Sequence, residues 1–188
     1  MAAPATPSSF DVAYWFIERA LNEGEYLQPQ KLHRVMFLSQ AYYAVAYHRR
    51  LLMPAIFLAE ETGPVEPNVL RACAVQRPPI SDMAMPDSAI ILMDSIWRRF
   101  GQHSTDYLNR MIAGHAPYVD AREQGPLTEI TLASMISFYG KKSGSKSASG
   151  ASNSPNAPPP VEEVIRPQTM RDQTGKPVSV QKWTPKGR

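Results

Sequence analysis

Three carboxylates, Glu60, Glu61 and Glu66, bracket the stiff sequence Gly63-Pro64-Val65, and His115 stands where a fold could bring an imidazole to them. Carboxylates paired with an imidazole can take up and deliver protons. An acidic rim that docks a protein, or simply faces water, is the commoner state of such residues. Beside a helix-ending glycine and Pro117, His115 reads as a hydrogen-bonded structural residue. The four histidines, His33, His48, His103 and His115, form no close ligand pair, and Cys73 has no Cys or His at a zinc spacing. The Gly63 and Gly101 regions lack the repeated glycines and lysine of a phosphate loop, and no Gly-x-Ser-x-Gly is present. These residues predict a protein that is not an enzyme and uses no cofactor or metal.

The elements that must hold the acidic stretch are helices. Gly63-Pro64-Val65-Glu66-Pro67 cannot continue a helix, because each proline removes a backbone donor and restricts the residue before it. A stiff loop is expected there. Ahead of it, Leu32, Val35, Met36, Ser39, Tyr43 and Ala46 keep the spacing of one helical face, and Pro29 suits a first turn. The prediction is a central helix from about Pro29 to His48, with His33 off its stripe and half-exposed. Arg49-Arg50 then complements the helix dipole, a plainer role than phosphate binding. A first helix capped by Ser8 or Ser9 puts Phe10, Ala13, Tyr14, Ile17 and Leu21 inward and ends at Gly24.

Residues 54–61 read equally as short helix or extended chain. Further helices are expected from Val65 or Glu66 to Gln76 (Val69, Leu70 and Cys73 inward) and from Asp87 or Ser88 to Gly101 (Met93, Ile96, Trp97 and Phe100 inward). A proline-spaced surface loop, Pro78 to Pro86, separates them. Then come Thr105 to Ala113, capped by Ser104, with Leu108, Met111 and Ile112 inward, Pro117 to Glu123, and Thr128 to Tyr139 with Leu132, Met135, Ile136 and Tyr139 inward. No strand-like alternation stands out. The fold class is all-α, a compact domain of about six or seven helices over residues 10–140 behind a loose leader, residues 1–9.

From Lys141 the composition changes. Up to Gly140 there are 11 Lys and Arg against 14 Asp and Glu; beyond it there are 9 against 3. The pI near 9.0 thus describes a mildly acidic body with a basic Ser/Gly/Pro-rich tail, which is no ground for assigning nucleic-acid binding to the body. The tail, residues 141–188, offers little to bury and is expected to be disordered. Within it, Val178, Val180, Lys182 and Trp183 recover enough apolar character for a short binding motif at 178–188. A single cysteine fits a reducing compartment, and no apolar run reaches the ~20 residues that span a bilayer. A cytoplasmic protein is expected, with no membrane partner.

Lys31-Leu32, Phe37, Gln40 and Tyr43, followed by Gly63-Pro64-Val65-x-Pro67, then Ile96-Trp97-Arg98-Arg99-Phe100-Gly101, Ser104 to Leu108 and His115-Ala116-Pro117-Tyr118, stand in an order that resembles the Panacea antitoxin family. The resemblance runs over roughly residues 10 to 140. It departs at Thr62, where the family usually has an aromatic or basic residue, and at Tyr118, where it has tryptophan. The resemblance implies a phage-associated, bacterial toxin–antitoxin role: a module that neutralises a cognate toxin by direct protein contact. The expected docking surface is Lys31, Glu60, Glu61, Gly63, Pro64, Val65, Glu66, Pro67, His115, Pro117 and Tyr118. The rival reading is an adaptor whose core holds a client while the tail engages a protease or scaffold. Nucleic-acid binding through the tail and Arg49, Arg50, Arg98 and Arg99 ranks lower.

Overall fold

Helix α2 (Pro29–Ala46) is wrapped on every side, and each residue from Leu32 to Ala44 is buried. One stripe was expected; the whole circumference is used, because α1 (Ser9–Asn22), α4 (Asp87–Ile96), α5 (Thr105–Ala113), α7 (Leu132–Tyr139) and a small hairpin all pack on it. A helix apolar all round belongs in a core, and Val35 to Leu38 are four apolar residues in succession. The computed structural model describes residues 3–73, 85–141 and 158–165, and the backbone pairing of 170–171 with 177–178. The polar side chains inside α2 are satisfied internally, as burial demands. The Ser39 hydroxyl donates to the Val35 carbonyl (2.7 Å), and Gln40 Oε1 accepts the amides of Leu52 and Met53 (3.1 and 3.2 Å). His33, expected to be half-exposed, is buried for the same reason.

Local signals set the ends of most helices. Ser8 caps α1, accepting the Phe10 amide while Asp11 accepts the Ser8 amide, both at 3.1 Å. Ser104 caps α5 through the Tyr107 amide at 3.2 Å. Leu108, Met111 and Ile112 are its buried residues, as the spacing predicts. Of the inward face expected for α1, Ala13 and Tyr14 are buried, Phe10 and Ile17 only partly, and Leu21 is exposed; Val12, Phe16 and Ala20 shift the buried side from the expected one. Helix α4 starts after Pro86 without the side-chain cap expected of Asp87 or Ser88. It widens into a π-helical turn, Trp97–Gly101. Gly101 is needed there because a Cβ would lie 2.6 Å from the Trp97 ring.

Two stretches are extended: the one left open at 54–61 together with the expected stiff loop after it, and the expected start of the last helix. Residues 58–65 form a hairpin of β1 (Leu58–Glu60) and β2 (Gly63–Val65), with Ala59 opposite Pro64. Proline is tolerated on β2 because it stands on an edge strand. The stretch expected to open the last helix at Thr128 is extended instead and lines the other edge of β1. The Ile130 amide donates to Phe57 and the Ala59 amide to Thr128, at 2.7 and 2.8 Å. Helix α7 begins only after Thr131, whose hydroxyl accepts the Ser134 amide at 3.2 Å. Helix α3 (Pro67–Cys73) buries Val69, whereas Leu70 and Cys73, expected inward, are exposed. The expected end of that helix at Gln76 and most of the loop from Pro78 lie outside the described residues.

The expectation of a loose chain from Lys141 on does not hold for 158–165. Helix α8 (Val161–Ile165) packs on α4 and α2, burying Val164, and the Tyr42 hydroxyl donates to the Pro159 carbonyl at 2.8 Å. Val161, Val164 and Ile165 fall at i, i+3 and i+4, enough for one short apolar face. The mostly helical body thus carries a two-stranded hairpin and a returning C-terminal segment. Among the described residues no helix is long and apolar enough to cross a membrane.

Candidate docking site

Arg34 of α2 organises the hairpin from beneath. Its side chain is fully buried. Nη1 donates to the Pro64 carbonyl (2.8 Å), Nε to Asn109 Oδ1 of α5 (2.8 Å), and Nη2 to the carbonyl and, at 3.3 Å, the hydroxyl of Thr62. The planar five-donor fork of arginine suits four acceptors on three residues arranged around it. Burial lowers its pKa to about 10, while Tyr118 and Glu60 favour its charge. It remains a cation at neutral pH. Gly63 lies against the guanidinium: φ is +134°, and a Cβ would stand 2.5 Å from Arg34 Cζ. The second anchor is Tyr118 of α6 (Ala116–Gln124), whose hydroxyl reaches the carbonyls of Glu60 and Glu61 at 2.6 and 3.0 Å.

The tip presents negative charge over this clamp. Glu60 accepts the Thr62 hydroxyl (2.7 Å) and amide (3.0 Å). The Thr62 hydroxyl, first among several causes, holds the Glu60 carboxyl below its usual range, so it stays ionised and is a poor proton donor near neutrality. Glu61 and Thr62 are exposed. Glu66 is different: it is buried, and its carboxylate caps α3 by accepting the Val69 amide (2.6 Å) and Asn68 Nδ2 (3.0 Å). Its own amide donates to His33 Nδ1 at 3.3 Å.

The residues expected to form one outward surface therefore divide. Glu60 and Pro67 are half-buried and Glu61 is exposed, whereas Gly63, Pro64, Val65, Glu66, Pro117 and Tyr118 are buried and build the inner support. The prolines and the aromatic ring are apolar and pack inward, so an outward orientation for them does not hold. His115 is also buried, sharing a 2.7 Å hydrogen bond between Nδ1 and the Tyr139 hydroxyl and packing edge-on to that ring. Lys31 stands apart from the hairpin. Its ammonium lies 3.8 Å from Glu25 and 5.6 Å from the centre of the Trp97 ring. Of the tail residues, Val178 pairs its backbone with Met170, while Val180, Lys182 and Trp183 lie outside the described residues.

Sequence reasoning missed Arg34 and Asn109. The available signal was Arg34 itself: a charge set among residues apolar on all sides must bury itself with partners. Between α1, the start of α2 and α3 lies an apolar groove of about 510 Å3, bounded by Ile17, Leu21, Tyr26, Leu27, Leu32, His33 and Leu70. Leu21, Tyr26 and Leu70 are 55%, 79% and 43% exposed there, a cluster of large side chains facing solvent. Consecutive residues of α2 thus serve neighbouring features, His33 the groove and Arg34 the hairpin. Among the described residues, no three His, Cys, Asp or Glu side chains gather as a metal site. Compared with protein-family models, curated proteins and solved structures, the chain matches none of them.

Proposed function

We propose that this chain is a protein-binding module of the antitoxin type, acting in the cytoplasm and neutralising a cognate toxin by direct contact. The observation that carries the reading is the acid-tipped hairpin clamped from inside by Arg34 and Tyr118. A tip held in one conformation before binding loses little entropy when it docks. Ionised Glu60 and exposed Glu61 favour a partner with a basic face, and the groove beside α3 offers an apolar anchor of the kind that supplies most binding energy in such contacts. The resemblance of Lys31-Leu32 and Gly63-Pro64-Val65-x-Pro67 to the Panacea pattern adds a toxin as the class of partner.

The test is co-expression with the product of the gene adjacent to its own. That product alone should arrest growth, and the full chain should restore it and co-purify with it. Reversing the tip with Glu60→Lys and Glu61→Lys, or placing Asp at Leu21 and Leu70, should abolish both effects while the far-ultraviolet dichroism stays unchanged. Rescue by all variants as well as by the parent chain would defeat the assignment of this surface. An adjacent product that neither arrests growth nor binds would defeat the antitoxin reading.

A further inference from the structure

On the face of the molecule that carries the end of α2 lies a second cavity, of about 550 Å3, which the docking reading does not use. Its floor is apolar: Phe57, Ile130 and Met135 are 1–2% exposed, and Ile56 and Leu132 form its more open wall. Its rim carries the guanidiniums of Arg49 and Arg50, with His48 beside them. His48 and Arg49 both occupy the left-handed region, with φ of 49° and 68°. Two successive residues with side chains seldom take that conformation. Here it turns the chain sharply at the end of α2 and brings three basic groups to one edge of the cavity.

Among the described residues no carboxylate pairs with Arg49 or Arg50. Arg50 spends only Nε, on the Ala3 carbonyl at 3.2 Å. Glu129 is the single carboxylate of the lining, so the two guanidiniums leave the mouth net positive. Gln40 reaches the cavity from α2 and is 1% exposed. Its Nε2 has two hydrogens and makes one long bond, 3.4 Å, to the Met53 carbonyl, which leaves a donor for an occupant. A cavity of this size falls within the ~300–1,000 Å3 of small-molecule sites, which combine apolar walls with a few placed polar groups.

We infer that this cavity binds an amphipathic anion, a small molecule whose alkyl or aryl body fills the space over Phe57, Ile130 and Met135 and whose carboxylate or phosphate meets Arg49 and Arg50. Guanidinium forks match both headgroups, and the apolar floor excludes free inorganic anions as the preferred occupant. The site is independent of the toxin reading, since it shares no residue with the hairpin tip or with the groove beside α3.

The experiment is calorimetric titration of the full chain with dodecanoate, dodecyl phosphate and dodecylammonium, each below its micelle concentration, and with dodecanol below its solubility. Either anion, or both, should bind saturably at one site, and which of the two binds better identifies the headgroup. Dodecanol should bind at least about tenfold more weakly, the worth of one charge-assisted hydrogen bond, and dodecylammonium more weakly still. Shortening dodecanoate to decanoate should lose roughly fifteenfold, since each of the two buried methylenes is worth about fourfold. The pair Arg49→Glu and Arg50→Glu alters exposed side chains, and should cost the anions at least about tenfold and improve dodecylammonium. Absence of saturable binding by both anions, equal affinity for the ammonium, or unchanged anion affinity in a folded charge-reversed variant would each overturn the site. If that variant fails to fold, the ranking of the four headgroups on the parent chain decides alone.

Discussion

Gly63→Ala puts the clamp under direct test, because it introduces a single methyl where the backbone and a buried cation leave no room. Two costs add. At φ +134° the new side chain occupies a region almost reserved for glycine, worth about 1–3 kcal/mol. The Cβ would also lie 2.5 to 2.6 Å from Cζ, Nε and Nη2 of Arg34. The far end of an arginine is ordinarily cheap to move, but this one is tied to Asn109, Pro64 and Thr62. Giving up one or two of those bonds costs about 1.5–3 kcal/mol each, since the donor is charged. The sum, roughly 2.5–9 kcal/mol, is a large share of the ~5–15 kcal/mol that holds a domain together. Urea unfolding followed by far-ultraviolet dichroism measures it, and Asn109→Ala supplies the second arm of a double-mutant cycle. With Asn109 removed, the guanidinium can swing aside, so Gly63→Ala should cost at least about 1 kcal/mol less in that background. A loss below about 1 kcal/mol, the same in both backgrounds, would refute the idea that Arg34 holds the hairpin from beneath.

Acid should act through His33. Burial first, and the neighbouring Arg34 charge second, lower its pKa from 6.5 to about 4, so the unfolded chain takes up the proton before the folded one does. The stability it contributes is complete above pH 6.5 and is lost as the pH falls to about 4; the shift is worth ~3 kcal/mol, and His33→Gln should flatten the urea midpoint across that window. Leu127→Gly replaces a 56% exposed side chain at φ 55°, so relief of left-handed strain should offset the greater entropy of the unfolded chain. The expected change lies between zero and about 1 kcal/mol of stabilisation, and a thermal midpoint that falls by several degrees would contradict it. Ending the chain at Lys141 should cost about 2–4 kcal/mol, because the burial of Val164 and the Tyr42–Pro159 bond go with the removed segment. Unchanged urea stability of the truncated chain would show that α8 adds nothing to the body.

What could be read without coordinates was whatever short-range chemistry decides. Ser8 and Ser104 before apolar periodicity, Pro29 at a first turn, and Gly24, Gly101 and Gly114 after a last one carry their own mechanism, and the helix ends fall within a few residues of those marks. Where a long-range partner decides, periodicity misled. Helix α1 shows two apolar faces, and the one bearing Val12 and Phe16 won because Trp97, 81 residues beyond Phe16 in the chain, packs its ring 6.1 Å away. A single stripe on α2 assumed one solvent face, so His33 was placed half in water. At 54–61 periodicity left helix and extended chain open, and the choice falls to a hairpin that the extended chain at 127–130 pairs with from the other side of β1, a contact that no window of eleven residues contains.

That same dependence on distant partners bears on the candidate site. Local stiffness from Pro64 and Pro67 would have been enough to predict a rigid loop, yet prolines alone fix φ at their own positions and leave the direction of the tip open. Direction comes from Arg34, Asn109 and Tyr118, carried on α2, α5 and α6. Arg34 spends its donors on Thr62, Pro64 and Asn109, and Tyr118 its hydroxyl on the carbonyls of Glu60 and Glu61, while the Arg34 charge helps keep Glu60 ionised. Replacing Arg34 by an apolar residue would strand the carbonyls of Thr62 and Pro64 and free the tip to sample other directions. Affinity for a partner should then fall mainly through slower productive association, as expected when an ordered surface becomes one that must order on contact. A faster off-rate with an unchanged on-rate would refute the view that Arg34 acts by ordering the tip before contact.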